Sequence, residues 1–254
     1  ISQTFIDFIP SIYLGAPEED SFLSVLPGHE LLQKGRGHEA VLLTLLGSLS
    51  AIPIILVFTP IFIYFLPLLF NLIKTIIPYI LIFASLYLIF REDNFLLSLI
   101  IFLLAGFLGY ATLNLPIKEP LFPLLTGLFG TSALIISLKS KISLPKQKIT
   151  SLKNIPITKK QYLNSMLSAS ISAPLCSFLP GIGSGHAALL GSEIKEQQRP
   201  GFLLMLGAIN TIVMSLSFIA LYAISKSRTG AAAAIKEILQ FLTPSHLYII
   251  IITI

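Results

Sequence analysis

Between residues 40 and 90 the chain carries one charged side chain, Lys74, in an otherwise almost wholly apolar stretch. A water-exposed surface cannot be built from such a run. A membrane span needs about 20 apolar residues at about 1.5 Å rise each. The stretch therefore predicts two spans and a shorter third piece, punctuated by Pro53, Pro60, Pro67, Asn71, Lys74 and Pro78. Lys74 reaches a surface by snorkelling if a span boundary falls there. Further apolar runs at 95–113, 121–138, 201–224 and 231–254 extend the pattern over 254 residues. Composition agrees: 11% of residues are charged, against roughly a quarter in soluble domains, and the mean hydropathy is +0.87. The predicted fold class is all-α. The chain is expected to be a polytopic integral membrane protein of the cell membrane, multi-pass, with broken or re-entrant helices and an internal repeat.

Residues 139–160 hold seven lysines and no acid. The net charge of +5 sits largely there, so it reads as a cytoplasmic basic loop by the positive-inside rule, not as a nucleic-acid surface. The organisation expected is a first transmembrane half (1–138), this loop (139–160) and a second transmembrane half (161–254). Both ends suggest a piece of a longer protein, since the chain opens at Ile1 and stops within the apolar run 247–252. A single cysteine, Cys176, excludes a disulfide framework or a multi-thiolate metal site. With the loop inside, 121–138 runs inward, 95–113 runs outward and Arg91–Asn94 is cytoplasmic. Gly127 and Gly130 are spaced for close helix approach. Downstream, the charge rule favours a chain that crosses at the glycine-rich element and places Lys226 and Arg228 inside.

That element is the most informative string: Leu179-Pro180-Gly181-Ile182-Gly183-Ser184-Gly185-His186. One proline and three glycines in six residues cannot continue a helix. Apolar flanks place the break at membrane depth, where irregular backbone is tolerated only inside protein or beside a water-filled cavity. A helix resuming at Ser184–His186 turns backbone N–H groups and a positive dipole end toward the break, a device for holding an anion. The plainer reading is a kink or an interfacial loop. A shorter counterpart, Leu26-Pro27-Gly28-His29, lies in the first half. Candidate substrate-binding residues are thus Pro180, Gly181, Gly183, Ser184, Gly185 and His186, with Pro27 and Gly28.

Other polar groups have competing roles. His186 either binds substrate or carries a proton, or simply hydrogen-bonds a carbonyl. Glu18, Glu19, Asp20 and Ser21 offer oxygens to a coupling Na⁺ or H⁺, although adjacent acids also form solvated turns and serine also caps helices. Asn210 and Thr211 fall in mid-span, where bridging to a neighbouring helix is the favoured role. Lys34 and Arg36 mark a loop at a membrane face. Zinc-protease, nucleophile-elbow and Walker patterns are absent from the sequence.

The strings Ile12-Tyr13-Leu14-Gly15, Leu26-Pro27-Gly28 and Gln33-Lys34-Gly35-Arg36-Gly37-His38-Glu39-Ala40 follow one another in order. Together with Leu125-Thr126-Gly127-Leu128-Phe129-Gly130 and 179–186, they resemble the tripartite tricarboxylate transporter large permease (TctA) family over nearly the whole chain. Phe8-Ile9-Pro10-Ser11-Ile12 and Gly15-Ala16-Pro17-Glu18-Glu19-Asp20 are most similar to an uncharacterised archaeal branch. The resemblance implies transport of a tri- or dicarboxylate, a small membrane subunit and an extracytoplasmic solute-binding protein as partners, and no cofactor beyond a coupling ion. It also places the family's first Pro-Gly motif upstream of Ile1. Where the bacterial permeases have Gly-Gly-Ser-Thr-Thr, this chain has Glu18-Glu19-Asp20-Ser21, and the family's Gln is His186. Acids facing an anionic solute repel it unless a cation sits between them.

A secondary-transporter permease for a small anionic solute is the leading reading. A membrane-embedded enzyme or lipid-handling protein using His186, His38 and the acids is the alternative, and a non-catalytic scaffold is a third. Depth separates them. A permease needs 183–186 near mid-membrane, whereas an enzyme needs a histidine within reach of a carboxylate.

Overall fold

The computed structural model describes residues 2–14, 25–73, 75–117, 120, 124, 126–131, 135, 145–151, 155, 157–178, 183–195, 197–227, 229–239, 243, 245–247 and 249. Among the described residues the fold is all-helical, with no strand. Short helices α1 (Ser2–Ile6), α2 (Phe8–Leu14) and α3 (Val25–Gln33) precede a long helix, α4 (Gly37–Ile73). Then come α5 (Ile77–Arg91), α6 (Phe95–Leu113) and a π-helical turn at Thr126–Thr131. The second half contains α7 (Lys159–Phe178), α8 (Ser184–Ile194), α9 (Arg199–Ile224) and α10 (Gly230–Leu239). Among the described residues, three helices are long and apolar enough to cross a membrane: Gly37–Leu68 within α4, α6 and α9.

Helix α4 runs through Pro53, Pro60 and Pro67 without interruption, which corrects the expectation that these prolines divide the region. Their seven-residue spacing puts all three near one face, and Pro53 and Pro60 are exposed. The opposite face, with Ala40, Leu43, Ala51, Ile55, Phe62 and Leu66 buried at helical spacing, carries the packing. Each proline removes one backbone donor, but it does so away from the seam. Only α5 follows before Arg91, and its 15 residues reach about 22 Å.

The core centres on α9, buried on almost every side. Its main partner is α4, and two glycines allow the approach. A methyl group at Gly47 would collide with the Leu204 carbonyl, and one at Gly207 with the Thr44 carbonyl, so the two backbones touch directly. Contacts at both ends show that α4 and α9 run in the same direction. Arg199, at the start of α9, pairs with Glu30 just upstream of α4. Lys226, just past α9, lies 5.8 Å from the ring centroid of Phe70 near the end of α4.

The turn between α3 and α4 is built by its own sequence. Gly35 has φ +72°, the left-handed region that glycine adopts without strain. Its N–H donates to the Leu32 carbonyl at 2.9 Å, and the Arg36 N–H donates to the Leu31 carbonyl at 2.7 Å, a Schellman closure. Part of the lysine-rich loop straps this turn. The Lys148 N–H donates to the Gly35 carbonyl at 2.8 Å, and the Gly37 N–H to Gln147 Oε1 at 2.8 Å. The starts of α4 and α9 therefore share the face occupied by the basic loop.

Among the described residues nothing stands within 4 Å of a Cβ built at Gly127, the glycine expected at a close helix contact, or at Gly106 or Gly109. Glycine spacing alone does not supply a neighbour.

Candidate functional site

Helices α7 and α8 form a hairpin around the glycine-rich break. Gln161, near the start of α7, hydrogen-bonds Gln198, which immediately precedes α9. Ser165 Oγ lies 2.9 Å from Gln197 Oε1 and donates to the Gly201 carbonyl at 2.8 Å. Both ends of the hairpin therefore lie on one face, and the element enters and returns. The expectation that it crosses is overturned. Lys226 consequently lies at the end of α9 away from the basic loop. A charge count over so few residues was too weak to decide this against packing.

The hairpin closes on small residues. Gly191 faces Met205 and Ser172, where a Cβ would come within 2.9 Å of the Met205 sulfur and 3.0 Å of Ser172 Oγ. Eleven residues of α8 rise about 16 Å from Ile194, roughly half of a hydrocarbon layer of about 30 Å. Gly183 is the N-cap, extended at φ −91° and ψ −174°, with no side-chain cap bond. Ser184 and Gly185 are buried, whereas the His186 side chain is exposed. The carbonyl of Gly183 accepts from the Ala187 N–H at 3.3 Å, closing the first turn. Pro180 and Gly181 lie outside the described residues. Two surface grooves, one at Ile157–Lys159 with Tyr162 and Leu163 and one along α6, are lined by other residues.

In the first half, Pro27 stands in the first turn of α3, where no intrahelical N–H bond is lost. Gly28 is buried, and an added Cβ would stand 2.7 Å from Ile12 Cγ1, so α2 packs onto α3 at that glycine. Glu18, Glu19, Asp20 and Ser21 lie outside the described residues. Lys34 stands in the turn as expected. Arg36 donates to both carboxylate oxygens of buried Glu39, from Nε at 2.8 Å and Nη2 at 2.6 Å. These bonds, together with the carboxylate's charge, hold the guanidinium proton above the usual arginine range, against a smaller opposing effect of burial. Nδ1 of His38 accepts the Thr150 N–H at 3.2 Å, which ties that ring to the basic loop.

Sequence reasoning missed one group. Asp7, between α1 and α2, is 7% exposed, and its Oδ2 accepts from Asn210 Nδ2 at 2.7 Å. Next to it, the Thr4 and Thr211 hydroxyl oxygens are 3.1 Å apart. Ser48 Oγ donates to the Gly207 carbonyl at 3.1 Å. Asn210 and Thr211 thus bridge helices, as their mid-span position predicts. The legible signal for Asp7 was a lone carboxylate among Phe5, Ile6, Phe8 and Ile9.

Comparison with known proteins now decides the family. The model of the tripartite tricarboxylate transporter TctA family matches residues 1–251. The chain belongs to this family. An uncharacterised protein of Methanocaldococcus jannaschii is 33% identical over 244 residues, covering 93% of this chain and 60% of that relative's length. The chain thus spans about 60% of the length of the relative it matches, and that relative fits the archaeal branch suggested by the motifs. No solved structure matches. The TctA assignment makes this a multi-pass membrane protein of a transporter family, in keeping with its apolar helices.

Proposed function

We propose that this chain forms the core of a secondary-transporter permease subunit that moves a small carboxylate-type anion, driven by an ion gradient. The observation that carries the reading is the re-entrant hairpin of α7 and α8. Its inner end is a helix start without a side-chain cap bond, about 16 Å along α8 from Ile194. The Gly185 and His186 N–H groups, with the helix dipole, favour a carboxylate there. On this reading Pro180, Gly181, Gly183, Ser184, Gly185 and His186 shape the anion site. Pro27 and Gly28, at the start of α3, form its counterpart in the first half of the chain. Glu18, Glu19, Asp20 and Ser21 are candidate ligands for Na⁺ or H⁺. Membership in the TctA family favours a tripartite assembly with a small membrane subunit and an extracytoplasmic solute-binding protein.

The test is an uptake screen of small carboxylates into vesicles holding the full-length parent protein, with and without a Na⁺ or pH gradient. Gradient-dependent uptake is expected, reduced roughly tenfold or more by Gly183→Leu in protein that still inserts. Normal uptake by that variant would remove the hairpin site.

A further inference from the structure

Helix α7 turns polar residues inward and apolar residues outward. Ser165, Ser168 and Ser172 are fully buried. On a different flank Leu163, Leu167, Ile171 and Leu175 recur at four-residue spacing, each 48–58% exposed. This stripe rises about 18 Å, slightly more than one leaflet of a hydrocarbon layer about 30 Å thick.

At the start of α7 the stripe opens into a groove of about 330 Å³ lined by Ile157, Thr158, Lys159, Tyr162 and Leu163. Its walls are fixed from behind. Ile157 and Tyr162 pack against the core, and the Tyr162 hydroxyl donates to Ser50 Oγ on α4 at 2.8 Å. Thr158 and Gln161 close a capping box on the first turn. The Thr158 N–H donates to Gln161 Oε1 at 3.0 Å, and the Gln161 N–H to Thr158 Oγ1 at 3.2 Å.

Two cations stand at this groove. Lys159 lines it and Lys160 follows, both exposed. Among the described residues neither ammonium pairs with a carboxylate, the ion pairs there joining Arg36 to Glu39 and Arg199 to Glu30. Lysines in a first turn oppose the helix dipole, so the pair does not serve α7 itself. Loop charge orients a membrane chain wherever its lysines stand. It does not require two of them beside an apolar groove.

The groove lies at headgroup level. Gln161 bonds Gln198 at the start of α9. The 26 residues of α9 rise about 39 Å, close to the roughly 40–45 Å of a bilayer with its headgroups. An occupant there meets two ammonium groups outside the hydrocarbon and an apolar stripe within it. Charge followed by apolar length is the chemistry of an anionic phospholipid.

We propose that the start of α7 is a binding site for an anionic phospholipid. Lys159 and Lys160 hold the phosphate, and the groove at Ile157, Tyr162 and Leu163 takes one acyl chain, which continues along Leu167 and Ile171. The site is on the outer flank of the hairpin and does not depend on the permease reading.

The experiment is thermal unfolding of the full-length protein in a neutral detergent, because a ligand bound by the native state raises the unfolding midpoint. The protein is titrated with phosphatidylglycerol, with phosphatidylcholine, or with glycerol phosphate as the chainless anion. Phosphatidylglycerol is expected to raise the midpoint saturably, and the other two to leave it near its starting value. Lys159→Gln with Lys160→Gln should weaken the apparent affinity roughly tenfold or more, since a lysine near an anionic surface contributes on the order of a fivefold factor. Lys159→Arg with Lys160→Arg should retain it, and Leu163→Ser should weaken it roughly fivefold. Lys146→Gln with Lys148→Gln, which removes the same charge from the strap on the α3–α4 turn, is expected to leave it unchanged. Equal stabilisation by phosphatidylcholine or by glycerol phosphate would overturn the proposal, as would equal weakening by the two glutamine pairs. An affinity unaffected by Lys159→Gln with Lys160→Gln would overturn it too, and is the result expected if a protein helix fills the groove.

Discussion

Helices α6 and α9 look alike in sequence and live in opposite surroundings. Both are apolar enough to cross a membrane, yet 83% of the most apolar window of α9 is buried in the protein, against 6% in α6. Both carry glycines and hydroxyl residues. In α9, Gly207 meets the backbone of α4, Gly201 meets Ser165, and Asn210 and Thr211 bond the first segment of the chain. In α6, no described residue stands within 4 Å of a Cβ built at Gly106 or Gly109. The Thr112 hydroxyl bonds its own helix at the Leu108 carbonyl, 2.7 Å away. Hydropathy thus identifies a span. Whether its small and polar residues serve packing and function depends on a matching surface elsewhere in the chain.

The largest effect that would sharpen this contrast is expected from Gly207→Leu. A branched side chain there must displace the α4 backbone at Thr44, and overpacking of this kind costs about 1–3 kcal/mol or more. We expect little monodisperse protein on size-exclusion chromatography, and near-normal behaviour would mean that α4 and α9 are not in backbone contact. Next in size is Asn210→Leu, which leaves a buried carboxylate without its amide donor. A loss of about 2 kcal/mol is expected, read as a lower unfolding midpoint in detergent. Smallest is Gly106→Ala on α6, where a gain of up to about 1 kcal/mol in helix propensity meets no steric cost. A clear loss there would mean that α6 packs against the protein and that the contrast is false.

Much of this architecture was legible in the sequence. Helix α6 has the limits set by its polar flanks, and α9 differs from the apolar run by two residues at its start. The glycine-rich break separates α7 from α8, as proline and glycine chemistry requires. The prolines of α4 misled because their backbone cost falls on the exposed face, a fact that depends on which side meets α9. The α4–α9 seam was visible as small residues at Thr44, Gly47, Ser48 and Ala51, but its partner stripe lies some 160 positions away in the chain. Spacing rules do not reach that far. The return of the hairpin was decided by Gln161, Ser165 and Gly201, residues whose pairing no local pattern announces. Asp7 is a single acid in an apolar run, and its partner Asn210 lies 203 positions along the chain, beyond any local pattern.

The claim on which the functional account stands is that the chain enters and leaves the bilayer through one face between α7 and α9. Single cysteines at Lys160, Gln198 and Ser227, introduced one at a time into a Cys176→Ser background of the full-length protein, test it with a membrane-impermeant maleimide on sealed, oriented vesicles. The account predicts that Lys160→Cys and Gln198→Cys react from the same side and Ser227→Cys from the other. Labelling of the first two from opposite sides would show a crossing element and contradict the re-entrant hairpin.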